Sequence, residues 1–234
     1  MARRGSGDYT RAERLTDAAV HVSGIVLALI AVPVLVTLAA VWSRDAGLVL
    51  AASIYGLCLI VMLACSALYH MTPMPEWKDR LRRLDQSAIY LKIAGTYTPF
   101  AVMSGPSAMP FLAGLWAAAA AGVSFKLLSA RALFGLTVSL YLAMGWAAVV
   151  AGGPILDRMT SEGYRLVMTG GVLYTVGVLF LVWDALPFHN AIWHAFVLTA
   201  SLVLYAAVVV EIVGLTTGAG GGGPLAAAAP SPHG

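Results

Sequence analysis

Long apolar runs separated by short polar breaks dominate this chain, and nowhere is there the strict apolar-polar alternation of a half-buried strand. Seven runs stand out, over residues 18–41, 48–69, 88–103, 109–128, 132–150, 166–183 and 191–213. In hydrocarbon every backbone amide must find its partner within its own segment or in a closed barrel. A spanning helix needs roughly 20 mainly apolar residues and a spanning strand about half that, so these runs predict helices. The breaks between them carry turn chemistry: Ser43, Arg44 and Asp45 after the first run, Ser104, Gly105 and Pro106 after the third, Gly152, Gly153 and Pro154 after the fifth. Segment 70–84 holds Pro73, Pro75 and the basic cluster Lys78, Arg80, Arg82 and Arg83, and is expected to be an interfacial loop. The expected fold class is all-α: a polytopic, seven-transmembrane-helix bundle over 18–214, preceded by a basic segment 1–17 and followed by a disordered Gly/Ala/Pro tail, 215–234.

Composition strengthens this picture. Of 234 residues 60% are hydrophobic and 11% charged, too little charge for the surface of a soluble domain. The first run is too long for a signal-peptide core, so it is expected to be retained as a span. Lysine and arginine in short loops set orientation. With the N-terminus cytoplasmic, the inner segments hold ten basic residues (Arg3, Arg4, Arg11, Arg14, Lys78, Arg80, Arg82, Arg83, Lys126, Arg131), the outer ones hold Arg44, Arg158 and Arg165, and Lys92 lies within the third span. This predicts the N-terminus inside and the C-terminus outside, in the cell membrane. The net charge of +3 is spread over short loops, leaving no nucleic-acid footprint, and membrane lipids are the expected partners. Cys58 and Cys65 lie seven apart in one apolar run, a spacing that suits core packing better than metal or redox chemistry.

That topology brings sequence-distant polar groups to one depth. The second span descends to Ser66 and His70, the third rises from Asp85, and the seventh rises from a segment holding His189, Asn190 and His194. Ser66 and His70, four apart on a helix, face the same way about 6 Å apart in rise. Ionisable groups at membrane depth generally point into the bundle, where they pair, bind ions or do chemistry. Zinc suits three imidazoles with one position left open, and His70, His189 and His194 could supply them. Asp85 could orient a ligand or take a proton from water, and Ser66 could bond that water or a carbonyl. The plainer alternative is that the histidines are amphipathic interfacial residues. His189 and His194, five apart, point about 140° apart on one helix, unless Asn190 caps the helix and leaves His189 free to turn back. Asp17 and His21 could add to the same layer, although helix-start capping is the simpler role. Lys92 lies two turns beyond Asp85 on nearly the same face, and Glu211 is expected to reach the headgroups.

Three stretches carry a family resemblance: Ser66 to His70 (SALYH), 83–99 (RLDQSAIYLKIAGTYTP) and Ala191 to His194 (AIWH). Together, and in this order, they resemble the hemolysin III family, which belongs with the progestin and adipoQ receptors; the likeness runs from about Glu13 to Val213. It implies a seven-helix bundle with zinc near the cytoplasmic side, held by one histidine ending the second span and two beginning the seventh. His70 and His194 match those positions. Asn190 stands where the other histidine is usual, with His189 as the neighbour that could substitute. Ser66 and Asp85 match the serine and aspartate of the pattern, and Leu204 stands where a further histidine is often found.

Three functions compete on this basis. One is a zinc-dependent hydrolase of lipid amides or esters, with Asp85 and Ser66 as catalytic residues. Another is a non-enzymatic lipid sensor or membrane-homeostasis protein with structural zinc, whose metal would be closed by a fourth protein ligand. The third, a pore-forming cytolysin, should show a polar stripe through several spans, whereas the polar residues here gather at one end.

Overall fold

A computed structural model of the protein describes residues 9–128 and 133–219, with side-chain surroundings through residue 215. The basic residues Arg3, Arg4 and Arg131, the start of the fifth predicted span and most of the predicted tail lie outside the described residues. Those described form helices joined by short turns, with no strand among them. Five helical segments are long and apolar enough to cross a bilayer: Arg11–Ser43, Ala46–Met71, Pro106–Leu128, Ser161–Val182 and His189–Leu215.

Helix α1 (Arg11–Leu38) starts well before its apolar run because Thr10 and Glu13 form a capping box. The Thr10 hydroxyl accepts from the Glu13 amide, and the Glu13 carboxylate accepts from the Thr10 amide at 2.7 Å. This displaces the sequence reading of Asp17 and His21 as capping residues. The cap lies further upstream, so both fall inside a regular helix, buried and turned toward the bundle. A π-helical turn, Ala39–Ser43, ends this segment, and Arg44 in the left-handed region (φ 53°) swings the chain to Asp45, the N-cap of α2 (Ala46–Met71).

The expected interfacial loop 70–84 is instead mostly helix. Helix α3 runs from Pro75 to Ser104, proline at its first position supplying a preset φ where no amide donor is needed. Its basic residues stay useful at the surface of the first turns: Lys78 Nζ donates to the Tyr69 carbonyl at 2.6 Å, closing the junction with α2, and Arg80 stacks over Trp77. The second half of α3 is buried nearly all round, including Tyr90, Ala94 and Ala101. At Gly95 a side chain would press into Cys58 at 2.8 Å, so the two helix backbones can approach only because glycine is there. Both cysteines are free and half-buried, as core packing requires.

Helix α4 (Met109–Leu128) follows the 3₁₀ turn Pro106–Ala108 and matches its predicted run. The fifth run is broken at Trp146 into α5 (Phe134–Gly145) and α6 (Ala147–Ala151), and Gly152 separates α6 from the short α7 (Gly153–Leu156) beyond the run. Helix α8 (Ser161–Val182) packs along α9 (His189–Ala219), and its buried positions are Gly163, Gly170 and Gly177, a seven-residue row of small residues. A Cβ on Gly170 would meet Leu204 at 2.8 Å, so the large side chain of α9 fills the space that glycine leaves.

Glu211, expected among headgroups, turns inward instead and is 8% exposed. Its Oε1 accepts from the Thr160 amide at 3.0 Å and the Thr160 hydroxyl at 2.8 Å, while that hydroxyl caps α8 by accepting from the Gly163 amide. Glu211→Ala strands part-buried donors at the α8 start. It is expected to lower stability by about 1–3 kcal/mol, read as a fall in the midpoint of thermal unfolding in detergent, with Glu211→Gln falling less.

Candidate metal centre

The polar layer is assembled by α1, which packs against both α2 and α9, at the end of the bundle where α2 finishes and α9 begins. Asp17 and His21 are one turn apart on the buried face of α1. His70 closes α2, and His194 lies in the second turn of α9. Asp17 is the hub. Its Oδ1 is 2.6 Å from His194 Nδ1 and 3.8 Å from His21 Nδ1, and its Oδ2 is 3.3 Å from His70 Nδ1. The three imidazoles crowd together, with ring centroids 4.3 Å apart for His21 and His194, 4.4 Å for His70 and His194, and 5.3 Å for His21 and His70.

Hydrogen bonding fixes which nitrogens are bare. A carbonyl only accepts, so His21 Nδ1, 2.8 Å from the Asp17 carbonyl, must donate. In the neutral ring Nε2 then accepts, and Ser66 Oγ lies 3.2 Å from it. By the same logic the Asp17 carboxylate takes the Nδ1 proton of His194, leaving the Nε2 lone pair free. Ligand histidines are commonly held in this way, one nitrogen anchored to a carboxylate or carbonyl and the other presented to the metal.

The donor set fits a metal ion. Asp17, His21 and His194 offer ligand atoms all within 4.8 Å of one another, and all three residues are largely buried. Two imidazoles and one carboxylate, with a third imidazole, His70, beside them, make a nitrogen-rich set of the kind zinc accepts. A possible metal-binding group is thus present, although its membership differs from the histidines that sequence spacing brought forward. His194 belongs to it, and His70 touches it through Asp17. His189 is the first residue of α9, not a residue ahead of the helix, and its Nε2 meets the Tyr9 hydroxyl at 2.8 Å. Its Nδ1 is buried without a partner. Asn190 Nδ2 donates to the same Tyr9 hydroxyl at 3.0 Å, and Glu13 accepts from the Phe188 amide at 3.1 Å, so the segment before α1 is latched across the start of α9. Phe188, at φ 60°, makes the bend that permits this. The two polar residues that spacing undervalued, Asp17 and His21, were detectable as charged and polar positions four apart at the head of an apolar run.

Ser66 and Asp85 lie beside the histidines. The Ser66 hydroxyl lies 3.2 Å from His21 Nε2, and Asp85 lines the same cavity as Ser66. Ser66, His70, Asp85 and His194 all line one cavity of about 390 Å³, which continues between α3, α8 and α9 past Phe100, Val197 and Leu204. Its volume falls in the range of pockets that enclose a small organic molecule or a length of acyl chain.

Residues 10–205 match the family described as Haemolysin-III related. The chain is 36% identical over 203 residues to Hemolysin-3 of Bacillus cereus, covering 86% of this chain and 92% of that protein. It is 34% identical over 199 residues to the Hemolysin-3 homolog of Bacillus subtilis, covering 84% and 93%. It is also 30% identical over 166 residues to the human Monocyte to macrophage differentiation factor, covering 66% and 67%, which extends the likeness to the wider superfamily of progestin and adipoQ receptors. With its several apolar helices long enough to cross a bilayer, the chain belongs to the haemolysin-III family of multi-pass integral membrane proteins.

Proposed function

We propose that this chain is a zinc-dependent hydrolase of lipid amides or esters, working from within a seven-helix bundle whose N-terminus is cytoplasmic and whose C-terminus is outside. Two further crossings complete the five long spans: the apolar α5 (Phe134–Gly145) with its continuation, and α3, which needs less apolar surface because its neighbours bury it. The excess of Lys and Arg at the end of the bundle that carries the histidines supports the orientation.

The observation that carries the reading is that His70, His194, Ser66 and Asp85 share one cavity with apolar walls. In this reading His21, His70 and His194 hold the metal, and Asp17 aligns their rings. His189, bound to Tyr9, closes the layer above them instead of supplying a ligand. When bound, zinc supplies Lewis-acid polarisation of a carbonyl and eases deprotonation of water. The chain's own residues do the rest. Asp85 accepts the proton of the attacking water and returns it to the leaving amine or alcohol, and Ser66 positions the reacting oxygen. The apolar walls receive the acyl chain and exclude bulk water.

A structural role for the metal has one observation in its favour. Asp17 adds a fourth donor to the three histidines, and four protein ligands would leave no open position. Purified protein in lipid nanodiscs distinguishes the two. Release of fatty acid from an N-acyl or ester lipid should stop on metal removal and return with zinc, and X-ray absorption should find a non-protein oxygen among the ligands. Product release that persists in metal-free protein defeats the hydrolase reading, and a shell of four protein donors with no turnover assigns the metal to structure.

A further inference from the structure

Lys92 is the charged residue that the hydrolytic reading leaves without work. It lies on α3, seven residues beyond Asp85 and so about 10 Å further into the bundle. It is 4% exposed and lines the same cavity as Asp85 and His194. Its Nζ lies 4.6 Å from the centroid of the Tyr174 ring, and Tyr174 is itself fixed by a 2.6 Å hydrogen bond between its hydroxyl and Ser201. Among the described residues no carboxylate comes within ion-pair distance of that ammonium.

A ring face compensates an ammonium only in part, and a cation at membrane depth normally has an ionic partner or a water-filled path. Placed at a cavity wall, Lys92 has room for the partner to be a ligand. Lys126, also buried, and Arg82 line the cavity as well, adding positive charge to its wall.

We infer that Lys92 is a recognition residue for an anionic head group on a single acyl chain, a carboxylate or a phosphate, bound in the cavity with its chain along the apolar wall. The inference rests on the reading that this cavity takes an acyl lipid, and goes beyond it in stating which head group is retained.

The test compares three amphiphiles of one chain length: palmitate, hexadecyl phosphate and the neutral hexadecanol. Binding to the full-length protein in nanodiscs is read by displacement of a fluorescent fatty acid. At least one anionic amphiphile should bind tenfold or more tightly than hexadecanol, and which of the two does so identifies the head group. Lys92→Met keeps the length of the side chain, removes an uncompensated charge and is expected to fold. It should abolish that preference by weakening the anion tenfold while changing hexadecanol less than twofold, with Lys92→Arg retaining most of it. Equal binding of all three by the unmodified protein overturns the role of Lys92 and leaves the acyl-lipid cavity standing, and needs no variant to fold. A preference that survives in Lys92→Met also overturns it. Failure of all three amphiphiles to bind overturns both the inference and the lipid-cavity reading beneath it.

Discussion

His70→Ala, His194→Ala and His21→Ala are each expected to strip most of the bound metal from the purified protein, whereas Asn190→Ala and His189→Ala are expected to leave it in place. The asymmetry follows from where the nitrogens lie. The imidazoles of His21, His70 and His194 crowd together with ring centroids 4.3 to 5.3 Å apart, and Asp17 lies against all three, so each removal opens the same site. His189 and Asn190 both spend a side-chain nitrogen on the Tyr9 hydroxyl. Asp17→Asn should be intermediate. Partners that orient metal ligands are typically worth about 10–100-fold in affinity, and an amide in place of the carboxylate can still accept one of the imidazole protons. Metal content by mass spectrometry after exhaustive dialysis measures the ranking. Unchanged zinc in the His70 and His194 variants would remove the site assignment altogether, and a complete loss in His189→Ala would restore that residue as a ligand.

The second large effect concerns Asp85. Asp85→Asn should lower lipid turnover by roughly 10²–10⁴-fold, the usual contribution of a positioned proton acceptor, while zinc content and unfolding midpoint stay near those of the parent. The residue lines the same cavity as Ser66 and His194, but it is absent from the group of converging metal ligands. Loss of turnover with retained metal therefore separates proton transfer from ligation. A variant that hydrolyses lipid as fast as the parent shows that Asp85 is not the base, and a variant that loses zinc places it among the ligands.

Which residues belong to the centre was only half legible from the chain. Ser66, His70, Asp85 and His194 stand in recognisable stretches, and the structure brings them to the lining of one cavity. Asp17 and His21 did not stand out, because a carboxylate four residues before a histidine at the start of an apolar run has the composition of a helix cap. Only the capping box at Thr10 and Glu13 shows that the cap was already provided, releasing both side chains inward. Glu211 follows the same pattern in reverse: its position near the end of an apolar run suggests headgroups, but the nearby Thr160 amide and hydroxyl need an acceptor and obtain it there. The loop expected at 70–84 became the first turns of α3 for a local reason. Proline at a helix's first position begins a helix, though within a charged stretch it resembles a breaker.

What the sequence determined by itself was the solvent and the class of structure. Hydrocarbon leaves a long apolar backbone no partner but its own carbonyls, so length and hydropathy were enough to place most of the helices. What the tertiary structure decided was which side chains meet. Rotation of each helix about its axis is set by close contacts such as Gly170 against Leu204 and Gly95 against Cys58, and by a cap one turn away. Those contacts lie between residues far apart in number, where the periodicity of a single run carries no information about its neighbour.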